Sequence, residues 1–63
     1  MQNKLPLNAS VMWVVEERLA DNPKEVNFAW SYRTPNDALL KLQDQVMQHG
    51  HDRFYTAYIH IED

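Results

Sequence analysis

Residues 26–37 read Val-Asn-Phe-Ala-Trp-Ser-Tyr-Arg-Thr-Pro-Asn-Asp, and they place a strand directly against the start of a helix. From Val26 to Arg33 large apolar and small or polar residues alternate without a break. Val26, Phe28, Trp30 and Tyr32 point one way; Asn27, Ala29, Ser31 and Arg33 point the other, which is the period of a half-buried strand. The pattern then stops at Thr34. A threonine hydroxyl can accept from an orphan helical N–H, proline lacks the N–H that would go unpaired in the first turn, and an aspartate favours the positive helix end. Thr34 is therefore the expected N-cap, Pro35 the first helical residue, and Asp37 a short substitute for the usual capping-box glutamate.

The helix is predicted to run to His49, with Gly50 in the left-handed position that often follows. At 100° per residue Leu39, Leu42 and Val46 fall on one stripe, the expected core-facing one. Ala38 flanks that stripe on one side, Leu40 and Met47 on the other, and Lys41, Asp44, Gln45 and Gln48 lie opposite. Phe28 and Trp30 are expected beneath it, touching Leu39, Leu42 and Val46.

Two further strands flank this unit. Residues 11–19 begin Val-Met-Trp-Val-Val, β-branched and aromatic and apolar on both faces, as suits a central strand. Glu17 interrupts the Val11, Trp13, Val15, Leu19 face. Asp21-Asn22-Pro23-Lys24 is a turn cluster joining this strand to the next as a hairpin. Residues 53–61 form the last strand, with Tyr55, Ala57, Ile59 and Ile61 on one face and Phe54, Thr56, Tyr58 and His60 on the other. The expected fold is α+β: a small ββαβ domain over residues 10–63. Its three-stranded, mainly antiparallel sheet has the order 2-1-3, with one helix on one face. Residues 1–9, broken by Pro6, read as an irregular N-terminal arm.

Length and composition narrow the function. Sixty-three residues at net charge −3 are one domain, too acidic overall for a general polyanion binder. The absence of cysteine removes disulfide staples and thiolate chemistry. No apolar run reaches the ~20 residues of a membrane span, and residues 1–8 lack the pattern of a secretory signal, so a cytoplasmic protein is expected. The single glycine precludes a glycine-rich phosphate loop.

The chemically capable residues are few. His49, His51 and Asp52, with His60 on the last strand, are metal-ligand types, yet their spacing fits no zinc pattern; helix-end and solvated roles account for them, and no metal or cofactor is expected. Glu16 and Glu17 point to opposite faces of a strand and cannot converge as an acid–base pair; Glu17 reads as a surface carboxylate near the sheet edge. No serine or threonine sits in a nucleophile elbow. Trp30, Tyr32, Phe54 and Tyr58 interleave with Arg33 and Arg53 as base-stacking residues do, but they alternate as a core face would.

What remains is surplus apolar surface. One helix covers one face of three strands. With Trp13, Trp30 and Ile59 beneath it, Met12, Val14, Ala29 and Phe54 or Tyr58 are left over, and Leu40 and Met47 add a helix flank. Exposed patches of this kind mark partner sites, most commonly in a symmetric dimer. The sequence thus favours a non-catalytic protein–protein interaction module, an adaptor or inhibitor. It would pair with itself or an unidentified protein partner through Met12, Val14, Leu40, Met47, Phe54 and Tyr58. Single-stranded nucleic-acid binding through strand aromatics stands second, and an oligomeric enzyme with an intersubunit site using His51 or His60 third.

Overall fold

The computed structural model describes residues 10–62; the expected arm at 1–9 lies outside them. The chain runs β1 (Ser10–Leu19), β2 (Phe28–Tyr32), α1 (Pro35–His49) and β3 (Arg53–Glu62). The sheet order is β2-β1-β3, and β1 pairs antiparallel with both neighbours. This is the ββαβ, α+β arrangement that the sequence predicts. Because both outer strands oppose β1, they run parallel to each other, and α1 carries the chain across between them.

Strand β2 begins at Phe28, two residues later than the alternation suggests. The reason is Asn27. Its backbone N–H donates to the Glu17 carbonyl (2.8 Å) and its side-chain amide to the Glu17 carboxylate (2.6 Å), which leaves Val26 outside the ladder and exposed. The tight turn also comes early: Asn22 N–H donates to the Leu19 carbonyl at 3.0 Å, and Pro23, with no N–H to give, leads the chain away.

The helix start is as expected. Thr34 is extended (φ −124°, ψ 146°), its hydroxyl oxygen accepts from the Asp37 N–H (3.4 Å) and its O–H donates to the Asp37 carboxylate (2.9 Å). The helix end differs. Gly50 is right-handed (φ −61°, ψ −16°), and its N–H donates to the Val46 carbonyl at 2.8 Å. Glycine is needed there for its size: a Cβ would lie 2.5 Å from the Val46 carbonyl oxygen and 3.2 Å from Val46 Cγ1.

Register divides the sheet into two faces. Trp13, Val15 and Glu17 share a face with Phe28, Trp30 and Tyr32 and with Tyr55, Ala57, Ile59 and Ile61. This is the covered face, since Lys41 of α1 stands over the Trp30 ring, its Nζ 5.0 Å from the centroid. Val15 is completely buried at the centre, and Ala38 is buried on the helix.

The helix is rolled relative to the expected orientation. Ala38, Lys41, Leu42, Gln45 and His49 are its buried and half-buried positions, whereas Leu39 and Val46 are about half exposed. At 100° per residue the inner stripe has turned by roughly 80°. Ala38, with the smallest side chain of the stripe, lets the helix approach β1 closely, and Lys41 lays its apolar stem on Trp30 while its charge reaches water. Phe28, expected in the core, is 58% exposed and stacks on the outer side of Trp30 at 5.8 Å between ring centroids.

Candidate interaction surface

The most tightly held polar group is Glu17, which is 2% exposed. Placed where a surface carboxylate was expected, it is instead enclosed by two cross-strand partners, Phe28 on β2 and Tyr55 on β3. The Tyr55 hydroxyl donates to its Oε1 (2.6 Å), the Asn27 amide to its Oε2 (2.6 Å), and Arg53 Nε stands 3.5 Å from Oε1. Both carboxylate oxygens are thus satisfied, as a buried charge requires. Burial, and then donation to Glu17, push the Tyr55 phenol up to about 12. Arg53 also binds Asp52 (2.5 Å) and holds that carboxyl below its ordinary value. The cluster fastens the ends of all three strands. Glu17 itself lines neither neighbouring cleft, although Asn27 borders the smaller one; the roomier, about 250 Å³, is bordered by Leu19, Ala20, Asp21, Asp52 and Arg53.

The histidines do not assemble. His51 lies 3.8 Å from Asp52 and His60 lies 3.7 Å from Glu62, each at the surface. Among the described residues no three His, Asp or Glu side chains converge to hold a metal ion, and no helix is long and apolar enough to cross a membrane.

The six residues singled out for an interface fall on opposite sides of the molecule. Met12, Val14, Phe54 and Tyr58 share the sheet face away from the helix. Val14 is buried there: Tyr58 stands opposite it and donates its hydroxyl to Glu16 (2.8 Å), so that the ring leans along β1. Glu16 in turn pairs with Arg18 at 3.0 Å. Leu40 and Met47 lie on the outer side of α1, both well exposed.

A different surface lies between these two, along β3. This strand pairs with β1 over all ten of its residues without a bulge, while among the described residues nothing pairs with its other edge. The Ala20 N–H donates to the Asp52 carbonyl at 3.1 Å in continuation of the same register. Hydrogen-bonded pairs alternate along an antiparallel ladder, so the even-numbered residues of β3 bond to β1. Arg53, Tyr55, Ala57, Ile59 and Ile61 therefore turn their N–H and C=O groups to the open edge. Natural sheets blunt such edges with lysine, proline or a bulge; from Phe54 to Ile59 this strand has none of them and no charge.

The helix borders this edge with apolar residues. Lys41 marks the flank of α1 that lies over β2. Leu39 and Val46, each about half exposed, project from the opposite flank, on the β3 side, and Ile59 and Ile61 of β3 are exposed as well. The signal was present in the sequence: with the order 2-1-3, β3 is an edge strand, and its composition carries no protection.

No family model matches the chain, and no curated protein or solved structure is significantly similar to it.

Proposed function

We propose that this chain is a small, non-catalytic protein-binding module that works as a homodimer. The observation that carries the reading is an imbalance. Among the described residues only Val14, Val15 and Ala38 are buried apolar side chains, whereas ten large ones, from Val26 to Ile61, remain 44–86% exposed. A domain this small is marginal on its own core, and a partner surface is one of the few ways to offset its ordering entropy.

The rival readings draw less support. Base stacking needs open rings beside free cations; Phe28, Phe54 and Tyr58 are open and Arg33 is exposed, but Trp30 lies between Phe28 and Lys41, the Tyr58 hydroxyl is tied to Glu16, and Arg18 and Arg53 are engaged by carboxylates. An enzyme needs an acid or base tuned for proton transfer in a cleft; Asp21 and Asp52 border the roomier cleft, but Arg53 engages Asp52 and holds its carboxyl low, and the enclosed carboxylate, Glu17, lines neither cleft. Sedimentation over two decades of micromolar concentration tests the proposal. The expected species has twice the 7.5 kDa chain mass. A strict monomer that also captures no identifiable protein from native extract overturns it.

A further inference from the structure

We infer that the partner at the β3 edge is a second copy of this chain, joined β3 to β3 in antiparallel register about a two-fold axis through Tyr58, so that two three-stranded sheets become one of six strands. The inference rests on the protein-binding reading above and names its partner and surface.

Symmetry restricts the register. A two-fold that joins two identical antiparallel edges into one continuous sheet stands perpendicular to it and keeps each side chain on its own face. The axis must then pass through a residue. Ala57 and Tyr58 are the two choices that pair nine of the ten strand residues. Centring on Ala57 sets Asp52 opposite Glu62, and like charges directly opposed are destabilising. Centring on Tyr58 opposes no like charges: Tyr55 meets Ile61 and Ala57 meets Ile59 on the helix side, while Thr56 meets His60 and Phe54 meets Glu62 on the other.

The same operation closes the apolar trough. Both helices lie on one side of the joined sheet, so that the exposed Leu39, Val46, Ile59 and Ile61 of each copy border the seam, with Ile59 against Ala57 and Ile61 against Tyr55 of the other copy. Those four side chains and the rings of Phe54 and Tyr58 are each 45–55% exposed in the single chain. Together with the bare strand edge they supply several hundred of the ~800 Å² per partner that a standard interface buries. The strand edge also gains hydrogen bonds for the outward N–H and C=O groups of Tyr55, Ala57, Ile59 and Ile61, the basis of recognition by strand addition.

A cysteine at position 58 tests the register directly, because the chain has no cysteine of its own. Even-numbered residues bond to β1, so across the seam they form non-hydrogen-bonded pairs with Cα atoms ~4.5 Å apart, within disulfide reach. Oxidised Tyr58→Cys is expected to convert almost completely to covalent dimer. Thr56→Cys, with its two copies staggered by roughly 13 Å, is expected to stay uncoupled. Ala57→Pro removes an outward N–H and no bond to β1; it and Ile59→Lys are each expected to sediment as folded monomers by circular dichroism. If Ala57→Pro unfolds, Ile59→Lys alone decides. Leu40→Lys with Met47→Lys is expected to remain dimeric.

Cross-linking through Ala57→Cys in place of Tyr58→Cys overturns the register. A dimer broken only by the Leu40 and Met47 changes overturns the surface but leaves the protein-binding reading intact. A wild-type chain that stays monomeric overturns the self-pairing, and capture of a different protein then decides the broader reading.

Discussion

Glu17 and Tyr55, thirty-eight residues apart in sequence, face each other across the β1–β3 ladder and share a 2.6 Å hydrogen bond. The pair shows how a fold with three buried apolar side chains among its described residues holds its strand ends: a polar clamp replaces part of the missing core. The clamp is asymmetric in energy. Each donor adds a modest net stabilisation, but removing one leaves a buried acceptor short of partners, at a cost of about 1–3 kcal/mol.

Tyr55→Phe is therefore expected to destabilise the fold by about 1–3 kcal/mol, because Oε1 keeps only the 3.5 Å approach of Arg53. Glu17→Gln should cost at least as much, since the new amide turns N–H groups toward a donor, either Asn27 or Tyr55. Urea unfolding measures both. A Gln variant as stable as wild type would show that the carboxylate does not hold these strands.

Alkaline stability should follow Tyr55. Its phenol is raised above the ordinary value of 10.0, to about 12, so the folded state favours the protonated form. That contribution is fully present below pH ~10 and lost as pH rises through ~12. The urea midpoint is expected to fall across this window, and to fall less steeply in Tyr55→Phe. Phenolate absorbance should show a late-titrating tyrosine that disappears in Tyr55→Phe, beside Tyr58, which donation to Glu16 also raises. Equal slopes in the two proteins would count against the assignment.

The helix ends provide a third check. Thr34→Ala removes the acceptor for the Asp37 N–H and should cost about 1 kcal/mol. Gly50→Ala at an ordinary helical φ would normally gain ~1 kcal/mol from propensity. Here its Cβ would press on the Val46 carbonyl, so a loss in melting temperature is expected. A gain would show that the last turn relaxes freely.

The sequence reveals this fold where the determinants are local. Alternation in β2 and β3, the two-sided apolar start of β1 and the Thr34-Pro35 cap each act within a few residues and read directly. Glu17 does not, because in an alternating pattern a carboxylate registers only as an interruption; what buries it is Asn27, Arg53 and Tyr55, brought in by the turn and by a strand thirty-six or more positions away. The helix orientation is also hidden. A hydropathy wheel ranks Leu39 and Val46 above Ala38, whereas close approach to the sheet rewards the smaller residue. The β3 edge could be read only once the strand order was combined with the lack of charge from Phe54 to Ile59.

The two rings of β2 separate core packing from surface stacking. Trp30 is half-buried, lies under Lys41 and carries Phe28 on its outer side, while Phe28 itself is largely exposed. Full truncation of a buried aromatic costs 3–5 kcal/mol; with part of its ring in water, Trp30→Ala should cost roughly 2–3 kcal/mol, and Phe28→Ala about 1 kcal/mol or less. Lys41→Met keeps the apolar stem and removes the charge, so it should lose only the cation–π part, ~0.5–1 kcal/mol. Thermal unfolding followed by circular dichroism orders the three. If Trp30→Ala melts with the wild type, the ring contributes no core, and Trp30 with Phe28 would instead form an open aromatic platform, the arrangement that single-strand binding requires. If Phe28→Ala proves as costly as Trp30→Ala, the outer ring is covered in solution by something beyond this chain's own helix. Sedimentation of that variant would then show whether the cover is a second copy.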